Sequence, residues 1–147
     1  MTRVLGVDYG ERRIGVALSD PTRTIASPLT TLTRRAGKRP PWRELERLVQ
    51  EHGVAEIVVG LPLALSGNDT AWTNEVRAFA AKLGERCARP VHMIDERMSS
   101  VQAERAVRGS GLKRGQREEK ERVDTAAAAI ILREFLAKES AGDDITS

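Results

Sequence analysis

Three acidic residues of this chain stand where apolar segments begin or end, and a carboxylate held there can do chemistry. Asp8 ends an apolar run that turns through Gly10, Glu96 follows a later apolar run, and Asp124 lies near the start of the last predicted helix. A buried carboxylate is costly unless it is paired or bound to a metal. Because no histidine accompanies the three acids, hard divalent cations with oxygen ligands, Mg²⁺ or Mn²⁺, are the favoured partners. Two such ions about 4 Å apart can activate a water and stabilise the leaving oxygen of a phosphodiester.

The helical period predicts that the Asp124 side chain faces the sheet. It shares one stripe with apolar residues at offsets of four, seven and eleven, which are Ala128, Ile131 and Phe135. A structural role is the alternative for each acid taken alone. Asp124 would then pair with an arginine such as Arg13 or Arg97, and Asp8 would cap its own turn.

The elements that must position these acids predict a mixed sheet of five strands. The opening stretch, residues 4–17, reads as a strand, a tight turn and a second strand, and residues 24–32 add an edge strand interrupted by Pro28. Later strands at residues 56–60 and 91–94 alternate with helices, which favours parallel crossovers. We therefore expect three antiparallel strands followed by parallel ones.

Four helices are predicted around this sheet. The first spans residues 42–52 behind Pro41, and the second carries an apolar face from Val76 to Cys87 with Asp69 as its cap. A third begins at the capping box of Ser99, and the last runs from Glu118 to about Lys138. Residues 1–138 are thus expected to form one domain and residues 139–147 a flexible tail.

Charge is unevenly distributed along the chain. The net charge is only +3, but one basic loop runs from Arg34 to Arg43 without an acid, and a second basic group includes Lys113 and Arg114. Such clusters suit a polyanion with regularly spaced phosphates, although a solvated arginine-rich surface is the alternative. Aromatic residues make up 3% of the sequence, so contacts with a nucleic-acid backbone are expected to dominate over base stacking.

Composition places the chain among globular proteins. Its 147 residues suit one domain, and the longest apolar run, residues 126–132, is too short to cross a bilayer. The N-terminus lacks the apolar segment of a signal peptide, so we expect a cytoplasmic protein. The single cysteine, Cys87, falls on an apolar helix face and is predicted to be a core residue rather than a nucleophile.

Several motifs, in this order along the chain, resemble the YqgF/RuvX family: Gly6-Val7-Asp8-Tyr9-Gly10 with Arg13-Ile14-Gly15-Val16-Ala17, then Gly60-Leu61-Pro62, Asp95-Glu96-Arg97 and Asp124-Thr125-Ala126-Ala127. The resemblance covers about residues 3–136. It implies a ribonuclease H-like fold and a nuclease, described either as a Holliday junction resolvase or as the enzyme that finishes the 5′ end of precursor 16S ribosomal RNA. By resemblance, Asp8, Glu96 and Asp124 bind the metal and catalyse. Since neighbouring strand residues point to opposite faces, either Asp95 or Glu96 faces the metal, and Glu96 is preferred.

The residues proposed to contact the substrate are Arg12, Arg13, Arg97, Lys113 and Arg114. Arg12 and Arg13 would hold the scissile phosphate beside Asp8, although a salt bridge to one of the acids is an equal alternative. The chain departs from the family after Pro62, where many relatives carry an Asn-Met-Asp-Gly segment and this chain keeps only the glycine, Gly67.

Other functions compete with the nuclease hypothesis. One is a non-catalytic nucleic-acid or protein adaptor with the same fold, and another is an actin-like nucleotide phosphotransferase, which would need a second domain. The sequence does not separate RNA from DNA as substrate. The resolvase resemblance implies a two-fold homodimer, but no exposed apolar stripe identifies an interface.

Overall fold

The architecture is a five-stranded mixed sheet with helices on both faces. A computed structural model describes residues 2–34, 39–98 and 117–142, with side chains for all of them except residues 98 and 117–124. The strands are β1 (Arg3–Tyr9), β2 (Arg13–Ser19), β3 (Ala26–Thr33), β4 (Val54–Leu61) and β5 (Val91–Asp95). The helices are α1 (Trp42–Glu51), α2 (Ala71–Cys87) and α3 (Arg117–Ser140), and a 3₁₀ turn spans Glu96–Met98. No helix in the described part of the chain is both long and apolar enough to cross a membrane.

The strand order across the sheet is β3-β2-β1-β4-β5. β1, β2 and β3 pair antiparallel, whereas β4 pairs parallel with both β1 and β5. The predicted succession of antiparallel and then parallel strands is confirmed. Because β1, β4 and β5 run in the same direction, their last residues, Tyr9, Leu61 and Asp95, share one end of the sheet, which we call the carboxyl edge.

Two apolar layers cover the sheet. On one face, Leu5, Val7 and Tyr9 of β1 pack in a cluster with the buried residues of α1 and α2. On the other face, Val4 packs in a second cluster with α3 residues from Ala127 to Leu136. β1 is therefore buried on both sides, which explains why its sequence is nearly continuous in apolar residues.

Helix α3 runs antiparallel to β1. A Cβ atom added to Gly6 would lie 2.9 Å from the Ala128 carbonyl oxygen and 2.8 Å from Leu132 Cβ, so the helix backbone lies directly on the sheet. Further along α3, Phe135 packs against His92 of β5, with 5.1 Å between ring centroids, and Glu139 pairs with Arg23. The amino-terminal half of α3 consequently points toward the carboxyl edge.

Several local predictions need correction. Asp69 is not the cap of α2, because the Thr70 side chain accepts the Thr73 backbone N–H and Asp69 instead pairs with Arg77. Pro28 does not interrupt β3. It lies opposite Ala17 beside a register shift on the outer strand of the sheet, and outer strands and bulges are the places where a sheet tolerates proline.

Other boundaries shift or cannot be compared. Helix α3 extends to Ser140, two residues into the predicted tail. The predicted helix beginning at Ser99 and the basic loop with Lys113 and Arg114 lie outside the described residues. Cys87 is buried within the α1 and α2 cluster, as predicted, and burial raises the pKa of its thiol.

A charged cluster ties α3 to the end of the sheet opposite the carboxyl edge. Arg23 Nη1 lies 2.5 Å from Glu56 Oε2 and 3.1 Å from Glu139 Oε2, and His92 Nε2 lies 2.8 Å from Glu56 Oε1. Arg23 adopts a positive φ of 60° in the turn before β3, and its Nε donates to the Thr2 carbonyl. Arg23 therefore connects its turn to β4 and α3, and Glu56 connects the same cluster to β5.

We expect Glu56→Gln to lower the free energy of unfolding at pH 7 by about 1 to 2 kcal/mol, because the neutral amide cannot replace the charge-assisted hydrogen bonds. Burial alone would raise the pKa of Glu56, but the hydrogen bonds with His92 and Arg23 outweigh it and lower this pKa from 4.5. A depressed folded pKa stabilises above pH 4.5 and loses that stabilisation as the pH falls through the folded value. Urea unfolding at pH 7 and pH 3 should show the difference between wild type and variant shrinking in acid. A difference independent of pH would contradict this account.

Candidate active site at the carboxyl edge

Asp8 is held inside the fold near the end of β1. Its residue is only 5% exposed, although a carboxylate is normally solvated. Side chains alternate along a strand, and Val4 and Gly6 face α3, so Asp8 faces α3 as well. The strand thus delivers one carboxylate to the carboxyl edge, beneath the amino-terminal half of α3.

Glu96 is the second buried carboxylate at this edge. It begins the 3₁₀ turn directly after β5 and is 2% exposed. Its side chain lies against Gly60 of β4, where an added Cβ would approach Glu96 Oε1 to 2.7 Å and Ile131 Cδ1 of α3 to 2.6 Å. Gly60 therefore leaves the space that the Glu96 side chain occupies between sheet and helix.

The strand register brings these two positions close. The last pair recorded between β1 and β4 is Val7 with Val59, so Asp8 and Gly60 are the next residue on each strand. Val7 and Val59 pack in the cluster with α1 and α2. Because side chains alternate along a strand, Asp8 and Gly60 face the other side, toward α3. Asp8 and Glu96 consequently lie on the same face of the sheet, at the same edge.

Asp95 is oriented differently from Glu96. It pairs with Leu61 in the sheet, and alternation turns it away from the face of Ile94, which packs with α3. Its carboxylate accepts hydrogen bonds from Arg97 Nε, at 3.1 Å, and Nη2, at 2.7 Å. These hydrogen bonds lower the pKa of Asp95 below its ordinary value, so the carboxylate is held charged by its neighbour. Asp95 therefore faces away from Asp8, and the choice of Glu96 as the metal ligand stays a prediction.

Asp124 belongs to α3, and its side chain lies outside the described part. Its backbone precedes Ala128 by four residues, about 6 Å along the helix axis toward the carboxyl edge. Among the described side chains, no group of three histidines, cysteines or acids converges on a possible metal position. The described part of the site is thus a pair of buried carboxylates, and the third predicted ligand stays a prediction.

A pair of buried carboxylates fits the chemistry of a hard divalent cation. Its donors are all oxygen, and the missing side chain of Gly60 gives the Glu96 carboxylate its place beside β4. Asp8 and Glu96 also have polar or charged neighbours within the protein. The donor set therefore suits Mg²⁺ or Mn²⁺ better than Zn²⁺, which prefers nitrogen and sulfur.

The turn between β1 and β2 brings arginines to the rim of the same edge. Gly10 N–H donates to the Arg13 carbonyl at 3.0 Å, and an added Cβ on Gly10 would lie 2.6 Å from that oxygen, so only glycine fits. Arg12 is exposed, and its carbonyl accepts the Arg34 N–H at 2.7 Å. Arg12 and Arg13 therefore stand near Asp8 in the sequence and at the same edge of the sheet, and their contact with substrate stays a prediction.

An aromatic stack that the sequence pattern did not predict lies behind this turn. Tyr9 lies between Trp72 and Phe79, with ring centroids 5.4 Å and 3.9 Å away, and Phe79 continues the stack to Trp42 at 5.4 Å. Arg34 covers the Tyr9 ring and donates a hydrogen bond to its hydroxyl. The rings come from three elements that are distant in the sequence, so no local spacing predicts that they stack. They pack behind the turn that follows Tyr9.

The comparison with protein families decides where this chain belongs. A family model described as RuvX, Holliday junction resolvase, matches residues 2–138. The chain belongs to the RuvX family. Two relatives are named "Putative pre-16S rRNA nuclease". The protein of Maridesulfovibrio salexigens is 40% identical over 136 residues, covering 92% of this chain and 98% of the relative, and that of Koribacter versatilis is 45% identical over 139 residues, covering 92% and 87%.

A solved structure shares the fold of this RuvX chain. The RuvC protein of T. thermophilus, determined in complex with a Holliday junction substrate, matches with a TM-score of 0.60 at 16% identity, covering 97% of this chain and 98% of the other. At this identity the likeness concerns the fold alone. The predicted ribonuclease H-like fold is confirmed.

The loop after β4 is where this RuvX chain departs from the segment expected for the family. It carries Ala64, Leu65 and Ser66 before Gly67, and Arg97 Nη1 donates to the Leu65 carbonyl at 3.1 Å. Arg97 was predicted to contact substrate, but in this structure its guanidinium holds Asp95 and this loop. A direct substrate contact by Arg97 stays a prediction.

Proposed function

We propose that this chain is a metal-dependent endonuclease that hydrolyses phosphodiester bonds in structured nucleic acid. Processing of the 5′ end of precursor 16S ribosomal RNA is the first candidate reaction, and cleavage of Holliday junctions is the second. The observation that carries the proposal is the burial of Asp8 and Glu96 on one face at the carboxyl edge of a RuvX family chain. Two buried carboxylates on one face of the sheet offer the oxygen donors that a divalent cation requires, which supports a role beyond packing.

Asp8, Glu96 and Asp124 would hold Mg²⁺ or Mn²⁺. Bound ions would supply a water of lowered pKa and charge stabilisation for the leaving oxygen. The protein contributes fixed positions for the carboxylates, because β1 and the turn after β5 are both anchored in the core. Gly60 leaves room for the Glu96 side chain, and α3 covers the site on one side.

The basic residues would position the substrate. Arg12 and Arg13 lie at the rim next to Asp8 and suit the phosphate that is cleaved, because a guanidinium can donate two parallel hydrogen bonds to it. Lys113 and Arg114 would hold a phosphate further along the strand. Contacts of this kind recognise the backbone and shape of a structured nucleic acid rather than its sequence.

One assay tests the proposal. A four-way DNA junction and a precursor ribosomal RNA are offered side by side to the full chain with Mn²⁺, and the same assay is run with Glu96→Gln and with Glu85→Gln. We expect cleavage by wild type and by Glu85→Gln, which changes an exposed acid of α2, and a loss of about 10³-fold for Glu96→Gln. The preferred substrate identifies the reaction. Equal cleavage by wild type and Glu96→Gln would refute the proposed site.

A further inference from the structure

A large apolar side chain stands in solvent next to the candidate active site. Leu65, in the loop between β4 and α2, is 88% exposed, more than either other exposed large apolar residue that the structure describes, Ile25 at 61% and Met93 at 39%. A single exposed leucine on a mobile loop would need no explanation. The question is therefore whether this loop is fixed.

Hydrogen bonds within the loop give it a defined shape. The Ala64 N–H donates to the Asn68 carbonyl at 3.0 Å, and the Gly67 N–H donates to the Ala64 carbonyl at 2.8 Å. Gly67 adopts a φ of 93°, which a residue with a side chain rarely takes. At the far end of the loop, Thr70 caps α2 in a reciprocal pair with Thr73, whose hydroxyl also donates to the Pro62 carbonyl. Both ends of the loop are anchored.

Arg97 ties the tip of this loop to the candidate active site. Its Nη1 donates to the carbonyl of Leu65 itself, at 3.1 Å, and an added Cβ on Gly67 would lie 3.4 Å from the same nitrogen. The other side of the guanidinium is held by the Asp95 carboxylate. Arg97 directly follows Glu96, so the segment that bears the buried acid also fixes the backbone of Leu65. The Leu65 side chain is thus presented to solvent in a fixed place.

We propose that Leu65 packs against the last base pair of a nucleic-acid duplex where that duplex ends or branches near the scissile phosphate. This inference rests on the proposed nuclease function. An aliphatic side chain offers no hydrogen bond to read a base edge, but it can cover the face of a base pair that has no stacking neighbour. Covering that face removes apolar surface from water on both partners. Leu65 then selects branched or frayed structure over continuous duplex, without selecting sequence.

The test uses a fluorescent base analogue at the branch. A forked duplex carries 2-aminopurine at the last pair before the fork, and Ca²⁺ replaces Mn²⁺ to slow cleavage. We expect wild type to change the 2-aminopurine fluorescence severalfold and Leu65→Ser to abolish that change, with affinity for the fork reduced about tenfold. Ile25→Ser is the matched control, because Ile25 is also exposed but lies at the opposite end of the sheet. It should behave as wild type, and all three proteins should melt at the same temperature.

Other results would overturn the inference. They include a fluorescence change that persists in Leu65→Ser, and binding of the fork by wild type without any change. If Leu65→Ser instead altered the mass measured by light scattering while leaving the fluorescence change intact, the side chain would serve a protein contact. Cleavage dependent on Asp8 but indifferent to Leu65 would remove this inference and leave the proposed function. A wild type that neither binds nor cleaves would remove both.

Arg97 acts in this account as a positioning residue. We expect Arg97→Gln to reduce the 2-aminopurine response, while the slope of log affinity against log salt concentration stays as in wild type. If Arg97 bound a phosphate directly, the substitution would instead lower the magnitude of that slope by about one. The salt dependence therefore separates the fixed-loop role from the substrate contact predicted for this arginine.

Discussion

Asp8→Asn is expected to lower the cleavage rate by about 10³-fold or more, because a neutral amide replaces the carboxylate proposed to hold the metal. The side chains have nearly the same volume, so the core around β1 should be retained, and the melting temperature should stay within a few degrees. Cleavage is measured in single-turnover reactions with enzyme in excess over substrate, which separates chemistry from product release.

The matched control for this substitution is Asp69→Asn. Asp69 is an exposed acid paired with Arg77 of α2, so the same chemical change there should leave the cleavage rate within about twofold. A variant Asp8→Asn that cleaves at the wild-type rate would contradict the account, as would an equal loss in both variants.

The second large effect is expected at two glycines that lie under α3. Gly6→Ala brings a Cβ within 2.9 Å of the Ala128 carbonyl and 2.8 Å of Leu132 Cβ, both of which belong to or adjoin the helix backbone. Helix and sheet must separate, and we expect a loss of about 3 kcal/mol in the free energy of unfolding. Gly60→Ala meets the ends of two side chains instead, Ile131 Cδ1 and Glu96 Oε1.

Side-chain ends can move where backbone cannot, so Gly60→Ala should lower the free energy of unfolding by only about 1 kcal/mol. The movement displaces Glu96, however, and a misplacement of about 1 Å can cost about 10²-fold in rate. We therefore expect Gly6→Ala mainly to destabilise and Gly60→Ala mainly to inactivate. Urea unfolding and single-turnover cleavage of both variants measure the two effects. If both variants lost stability and activity in the same proportion, the Glu96 placement would be wrong.

Much of this fold is visible in local sequence. The apolar runs of β1 and of the second half of β4 reflect the burial of these strands, and glycines and prolines mark most of the ends of β1, β4 and β5. The inward stripe of α3 follows from its period, and its members Ala128, Ile131 and Phe135 are buried. The local sequence pattern predicts the position of a residue where that residue contacts only its own strand or helix, or the core.

The parts that were missed depend on contacts between distant segments. Both Asp69 and Thr70 suit the cap position of α2, and Thr70 takes it because the Thr73 hydroxyl accepts the Thr70 N–H while the Thr70 hydroxyl accepts the Thr73 N–H. The stack around Tyr9 joins residues from β1, α1 and α2. The role of Arg97 in fixing the Leu65 loop depends on a bond across 32 positions of the chain. Neither the stack nor the Arg97 bond has a local sequence signal.

Asp8 and Glu96 are proposed to belong to one site for a divalent cation. Isothermal titration of the full chain with Mn²⁺, in the absence of nucleic acid, tests it most directly. We expect saturable binding by wild type and by Asp69→Asn, and loss of that binding in both Asp8→Asn and Glu96→Gln. Unchanged Mn²⁺ binding in either of these two variants, or no binding by wild type, would contradict the claim.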